Sequence, residues 1–89
     1  MIMGLVFSVQ VFAQAITVKG VVKDSAGEPV IGANVVVVGT TNGTITDFDG
    51  NFTIKANKNA KLEISFIGYK NTVVKVSPNM NIVLKDDTQ

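Results

Sequence analysis

The residues closest to forming a chemical site are the two carboxylates of the run Asp-Phe-Asp-Gly-Asn at residues 47–51. Acids at alternate positions before a glycine resemble the start of an EF-hand calcium loop, which also needs glycine at its sixth position and a bidentate acid at its twelfth. Counted from Asp47, those positions hold Phe52 and Lys58. The run therefore favours a β-turn whose acid side chains accept backbone N–H groups, and leaves Asp47 and Asp49 as weak calcium candidates.

Catalytic groups of other kinds are scarce in the chain. It has no histidine and no cysteine. This excludes the usual zinc sites, haem ligation, thiol catalysis and a histidine general base. Beyond Gln14 the serines are Ser25, Ser65 and Ser77, and none has an imidazole to activate it. A Ser–Lys pair stays open on composition alone, but a small flat β-domain offers no obvious pocket. We expect no catalytic residue and no cofactor.

Length and charge restrict the class of protein further. A chain of 89 residues allows one small domain. Eight basic residues against seven acidic ones give a net charge of +1, and every basic residue is lysine. A nucleic-acid surface needs a basic excess and usually arginine, so no nucleic-acid partner is expected.

The elements that must position these residues are predicted to be strands. Val, Ile and Thr dominate the chain after residue 14, and strong helix formers are nearly missing. Turn signals recur every eight to twelve residues, a spacing typical of a β-sandwich. Strands are predicted at residues 15–23, 32–39, 44–46, 51–56, 61–66, 71–76 and 81–85. The second contains the run Val35, Val36, Val37 and Val38, so we expect it to be central with both faces covered.

Strand alternation also predicts which side chains form the core. The predicted core residues are Ile16, Val18, Val22, Val35, Val37, Phe52, Ile54, Leu62, Ile64, Phe66, Val74, Ile82 and Leu84.

The glycines are expected to shape the turns and close contacts. Gly27, Gly43 and Gly50 are assigned to turn positions that need a positive φ. Gly32 and Gly39 are assigned to strand ends where backbones pass closely.

Three further residues have predicted structural roles. Pro29 stiffens the turn at residues 24–29. Gly68 interrupts the alternation and marks a bulge or bend. Tyr69 is expected to be half-buried, with its hydroxyl bonded to a backbone acceptor.

Residues 1–14 form an apolar segment typical of a secretory leader. Val11 and Ala13 are small residues placed for a cut before Gln14. The positively charged start of a leader is missing, which fits a misplaced start codon. The alternative is a hydrophobic strand or helix belonging to the fold. No apolar stretch reaches the roughly 18 residues of a spanning helix, so no direct membrane insertion is expected.

Motifs spread along the chain resemble one family. They are G-x-V-x-D-x-x-G-x-P-x-x-G-A-x-V from Gly20 to Val35, G-T-x-x-G-T-x-T-D-x-D-G-x-F from Gly39 to Phe52, and S-x-I-G-Y from Ser65 to Tyr69. Residues 16–84 thus resemble the carboxypeptidase-regulatory-like domain, especially the copy at the N-terminus of SusC/RagA-type TonB-dependent outer-membrane transporters of Bacteroidota. The resemblance implies an all-β, seven-stranded, transthyretin-like (prealbumin-like) Greek-key sandwich.

The resemblance also implies an arrangement of segments and a function. Residues 1–14 are the leader, residues 15–85 the sandwich and residues 86–89 a polar tail or linker. The domain would be a non-catalytic accessory module of a glycan or peptide transporter, exported to the periplasmic side of the outer membrane. Its partners would be the plug and barrel of the parent and TonB-type energising proteins. The alternative is a free-standing secreted module that binds carbohydrate or a cell surface.

One short motif concerns modification. Asp24-Ser25-Ala26 is similar to the acid–hydroxyl–apolar triplet that accepts O-linked glycans in secreted Bacteroidota proteins. The same three residues also suit an ordinary turn that begins at an acid. Ser25 is therefore a candidate glycosylation site.

Overall fold

The computed structural model describes residues 15–87, and these form seven strands and no helix. The strands are β1 Ala15–Asp24, β2 Asn34–Val37, β3 Gly43–Ile45, β4 Asn51–Asn57, β5 Lys61–Ser65, β6 Thr72–Lys75 and β7 Asn79–Leu84. They make a three-stranded sheet, β4-β1-β7, and a four-stranded sheet, β3-β2-β5-β6. The predicted all-β class and strand count are confirmed. Within the described part, no helix long and apolar enough to cross a membrane is found.

The three-stranded sheet is built around the longest strand. β1 runs antiparallel to β4 and parallel to β7, with Gly20 opposite Phe52 on one side and Met80 on the other. A Cβ atom on Gly20 would lie 2.5 Å from the Phe52 ring. Glycine therefore makes room for the one buried phenylalanine of this sheet to lie across its neighbour.

The four-stranded sheet has β2 and β5 at its centre. The prediction that β2 is a central strand is confirmed, but its second face is not covered. Val35 and Val37 are buried, whereas Val36 is half-buried and Val38 is 48% exposed. The reason is that the three-stranded sheet packs on one face only. β2 is also shorter than predicted, because the chain turns at residues 38–40.

The core lies between the two sheets. Most of the predicted residues are buried, and Ile16, Phe66 and Val74 pack against the core while partly exposed. The predicted core did not include five further buried residues, which lie in turns or near strand ends: Val30, Ala33, Thr46, Ala56 and Val76.

The first two residues of the predicted polar tail or linker, Asp86 and Asp87, pair with the body of the domain. Tyr69 and Asp86 form an antiparallel bridge, and the Asp87 amide donates to the Gly68 carbonyl at 3.1 Å. The Lys70 amide donates to the Lys85 carbonyl at 2.9 Å. This segment is ordered although its side chains are polar, because backbone pairing uses main-chain N–H and C=O groups and needs no apolar side chain.

The predicted leader at residues 1–14 lies outside the described residues, as do residues 88–89. The leader stays a prediction.

Candidate functional site

The turn at residues 47–51 is organised by the side chain of Asp47. Its Oδ1 atom accepts the amides of Asp49 and Asn51, both at 2.9 Å. The Gly50 amide donates to the Asp47 carbonyl at 2.9 Å. This is the geometry of a turn that an Asp side chain closes on its own backbone. Among the described residues, no group of three His, Cys, Asp or Glu side chains is placed to hold a metal ion.

The turn at residues 24–29 repeats this arrangement. Oδ1 of Asp24 accepts the amides of Ala26 and Glu28, both at 2.9 Å, and the Gly27 amide donates to the Asp24 carbonyl at 3.0 Å. Ser25 lies exposed in this turn. The two motifs that begin with an acid and contain a glycine are therefore the same local structure used twice.

Gly50 connects these two turns. It is buried with φ +76°, and its carbonyl accepts the Val22 amide at 2.8 Å. A Cβ atom on Gly50 would lie 2.6 Å from the Val22 carbonyl oxygen and 3.0 Å from Pro29 Cβ. Pro29 thus packs where only glycine leaves space, which holds the turns side by side.

Thr46 is a structural residue that sequence reasoning missed. Its buried Oγ1 donates to the Val30 carbonyl at 2.6 Å and accepts the Ala33 amide at 2.8 Å. Hydrophobicity alone would bury Ile45 and expose Thr46, whereas the structure exposes Ile45 and buries Thr46. The feature of the sequence that could have indicated this role is the position of Thr46 directly before the turn at Asp47.

Two glycine roles are the reverse of the prediction. Gly39 has φ +83° with no atom near its missing Cβ, so it is a turn glycine. Gly43 lies in β3 without a positive φ, and a Cβ there would be 3.1 Å from the Val35 carbonyl oxygen. Gly43 is therefore the close-contact glycine. The assignment of Gly32 to a close backbone contact is also wrong, because it has φ +80° and the nearest atom to its missing Cβ is in the Phe66 ring at 3.8 Å.

The predicted bend at Gly68 is a turn with φ +87°, closed by the Tyr69 amide donating to the Phe66 carbonyl at 3.1 Å. The rings of Phe66 and Tyr69 lie 6.1 Å apart between centroids, and both are half-buried. The predicted bond from the Tyr69 hydroxyl to a carbonyl is not found within residues 15–87.

The turns at residues 24–29, 47–51 and 66–69 meet at one end of the sandwich. We call this end the loop end and define it as residues 24–33, 45–50, 66–69 and 85–87. Gly32 connects them, since its amide donates to the Thr46 carbonyl at 3.1 Å and its missing Cβ would be 3.8 Å from the Phe66 ring. Here lies an apolar groove of about 390 Å³, lined by Ile31, Gly32, Ile45, Thr46, Asp47 and Phe48. The loop end presents an exposed apolar groove, and no catalytic groups converge on it among residues 15–87.

A second concavity, of about 470 Å³, lies on the three-stranded sheet. Its lining includes the polar residues Lys19, Asn51, Thr53, Asn79 and Asn81. It contains no acid to pair with its lysine.

Comparison with protein families gives one match that covers most of the chain. The sequence pattern of the CarboxypepD_reg-like domain matches residues 18–89. The match includes residues 86–89, in agreement with the backbone pairing of Asp86 and Asp87.

Comparison with curated proteins gives TonB-dependent receptors. The chain is 58% identical to the TonB-dependent receptor SusC of Bacteroides thetaiotaomicron over 89 residues, which is all of this chain and 9% of that protein. It is 37% identical over 87 residues to a TonB-dependent receptor of Formosa agariphila, covering 93% of this chain and 9% of that receptor. The chain thus spans less than a tenth of the length of these relatives.

Solved structures with a similar fold come from another context. Two mutant cohesin–X-dockerin complexes of Acetivibrio cellulolyticus contain a chain that matches with a TM-score of 0.61. Sequence identities are 25% and 26%, with 76% and 79% of this chain covered and 56% and 57% of the other. The likeness supports the β-sandwich fold.

Proposed function

Because the chain belongs to the CarboxypepD_reg-like domain family, we propose that it is a non-catalytic accessory domain of a SusC-like TonB-dependent receptor, located on the periplasmic side of the outer membrane. The observation that carries the proposal is the match to the N-terminal region of SusC at 58% identity over the entire chain. A match of this extent at less than a tenth of the receptor's length fits one domain of a larger transporter.

The absence of converging catalytic groups at the loop end supports a contact role over a chemical one. The carboxylates of Asp24 and Asp47 are already used in closing turns. The surface that remains is an apolar groove with acidic residues around it. Such a surface recognises another molecule through burial and charge.

The proposed role depends on placement next to the transporter. In the parent, the plug and the segment that contacts a TonB-type energising protein would follow this domain. A folded body tethered there has a high local concentration near its partners. The domain would favour docking of the energising protein or keep the contacting segment accessible. Because Asp86 and Asp87 pair with the body, these two residues belong to the folded domain and not to a connecting segment.

The experiment that tests this proposal removes the domain from its parent. Residues 15–87 are deleted from the full-length receptor, and barrel levels in the outer membrane are measured together with growth on limiting cognate nutrient. We expect normal barrel levels with impaired growth. Unchanged growth would leave the domain as an inherited spacer, and loss of the barrel would point to a role in assembly instead.

The alternative of a free-standing carbohydrate-binding module has less support. Sugar-binding faces usually present exposed aromatic rings. Outside the predicted core the aromatic rings beyond residue 14 are Phe48 and Tyr69. Phe48 is exposed, but Tyr69 is half-buried and lies beside Phe66.

Two processing events belong to the same proposal. Export would remove the segment that ends at Ala13 or Gln14, and Ser25 would carry an O-linked glycan. Exposure of Ser25 in a turn held by Asp24 makes its hydroxyl accessible. Intact-mass measurement of exported protein, with Ser25→Ala for comparison, tests both.

A further inference from the structure

The apolar groove at the loop end has an unusual lining for the surface of so small a domain. Ile31, Ile45 and Phe48 are 49%, 61% and 84% exposed, and they lie around one concavity. Single exposed apolar side chains are ordinary, but adjacent ones that line a groove mark a binding surface. Other large apolar side chains are also exposed, namely Val38, Ile67, Val73 and Val83, but none of them lines this groove.

Hydrogen bonds fix the groove in the free protein. Thr46 holds residues 30 and 33 through its Oγ1 atom, which places Ile31 and Ile45 on the outside. Asp47 closes the turn that presents Phe48 at its tip. A groove held in this way loses little conformational entropy when it is filled.

Charge around the groove is strongly biased. Six of the seven acidic residues lie at the loop end, namely Asp24, Glu28, Asp47, Asp49, Asp86 and Asp87. The exception is Glu63, which lies on β5. The two turns nearest the groove, at residues 24–29 and 47–50, contain four acids and no lysine. The lysines close to this end are Lys23, Lys70 and Lys85.

The opposite end of the sandwich has the reverse charge. Lys58 lies in the turn that follows β4, and Lys61 and Lys75 are directly opposed on β5 and β6. Lys55 lies on β4 near the same turn. The net charge of +1 therefore conceals an acidic end and a basic end.

We propose that the loop-end groove binds a lysine- or arginine-rich segment of a partner protein, which inserts one apolar side chain between Ile31, Ile45 and Phe48. Acidic residues flanking an apolar groove select a cationic partner and repel an anionic lipid surface. The proposal rests on the proposed function only in that the domain acts by contacting proteins.

The test measures peptide binding to the isotope-labelled full chain by NMR. The probe is a short synthetic peptide of alternating lysine and proline with one central phenylalanine. We expect amide shifts concentrated at residues 31–32 and 45–49, and affinity that falls with added salt, because exposed charge pairs are screened. Peptides with glutamate for lysine, or serine for phenylalanine, should not bind.

Matched variants separate charge from apolar contact. Asp49→Asn and Glu28→Gln remove charge without removing the side-chain oxygens of Asp47 and Asp24 that close the turns, and each should weaken binding by about threefold. Glu63→Gln, on β5 and outside the groove lining, should have no effect. Phe48→Ser should weaken binding by about tenfold or more, and Val83→Ser, on the three-stranded sheet, should not.

Three results would overturn the proposal. They are no binding of the cationic peptide, equal binding of the glutamate peptide, and shifts confined to residues outside the loop end. Groove shifts that depend on the concentration of the chain itself, without peptide binding, would identify a second copy as the occupant. Failure of peptide binding leaves the deletion experiment unaffected, so the two proposals fail separately.

Discussion

At the scale of single residues, Gly50 occupies a position that requires both a positive φ and the absence of a side chain. Its φ is +76°, and a side chain there would collide with the Val22 carbonyl at 2.6 Å. Gly50→Ala should therefore lower the free energy of unfolding by about 3 kcal/mol, through backbone strain and steric overlap. Gly27→Ala is the matched control, because Gly27 has φ +83° but no atom within 4 Å of its missing Cβ.

Urea denaturation of both variants measures the difference. We expect Gly27→Ala to cost about 1 kcal/mol, the cost of strain alone. Equal costs for the two variants would mean that the contact between the turns contributes nothing.

Thr46 supplies the second residue-scale prediction. Thr46→Val keeps the shape of the side chain but leaves the Val30 carbonyl and the Ala33 amide without their side-chain partner. We expect a loss of about 1–3 kcal/mol in unfolding free energy. Thr53→Val, on the exposed face of β4, should change stability by less than about 0.5 kcal/mol. A harmless Thr46→Val would show that these buried bonds are dispensable.

A third prediction concerns calcium binding at the turn of residues 47–51. If Asp47 serves to close its turn, millimolar calcium should leave the melting temperature unchanged, since any ligand that binds only the native state must raise it. Thermal unfolding with calcium and with chelator measures this. A rise with calcium that Asp49→Ala abolishes would establish a metal site.

Residue types in the motifs predicted much of this detail, but not all of it. The Asp47 turn follows from Asp, Gly and their spacing, because these residues act locally. Gly39 and Gly43 could not be distinguished, since the space around Gly43 is set by Val35 of a neighbouring strand. Such long-range contacts are not encoded in local spacing.

At the scale of elements, β5 is the best test of strand register. Leu62 is fully buried between Val37 of β2 and Val74 of β6. Leu62→Ala should lower unfolding free energy by about 2–5 kcal/mol, because it removes core contacts and leaves a cavity. Val73→Ala, on the exposed face of β6, is the control. A change under about 0.5 kcal/mol at Leu62 would mean that the strand faces are exchanged, which a one-residue slip produces.

Strand positions were predictable from alternation, whereas strand ends and buried loops were less so. β4 matches its predicted alternation, with Phe52, Ile54 and Ala56 buried. β7 begins at Asn79, two residues earlier than predicted, because pairing with Lys19 of β1 extends it through polar residues. Val30 and Ala33 are buried in a loop that periodicity does not describe.

At the scale of the whole molecule, the arrangement of the sheets determines what the surface can do. The parallel pairing of β1 with β7 brings Leu84 beside Asp24, and so places the C-terminal acids at the same end as the acidic turns. Neither this pairing nor the resulting charge separation can be read from sequence order alone. The family motifs predicted the fold, whereas the groove could be identified only from the three-dimensional structure.

The central claim is that a folded contact domain, and not merely a spacer, contributes to transport. The most direct measurement is nutrient uptake per unit of outer-membrane barrel by the full-length receptor carrying Leu62→Ala, compared with Val73→Ala. Chain length is unchanged in both variants, and only the first should unfold the sandwich. We expect reduced uptake for Leu62→Ala and normal uptake for Val73→Ala at equal barrel levels. Equal uptake by the two variants, with the domain shown to be unfolded in the first, would contradict it.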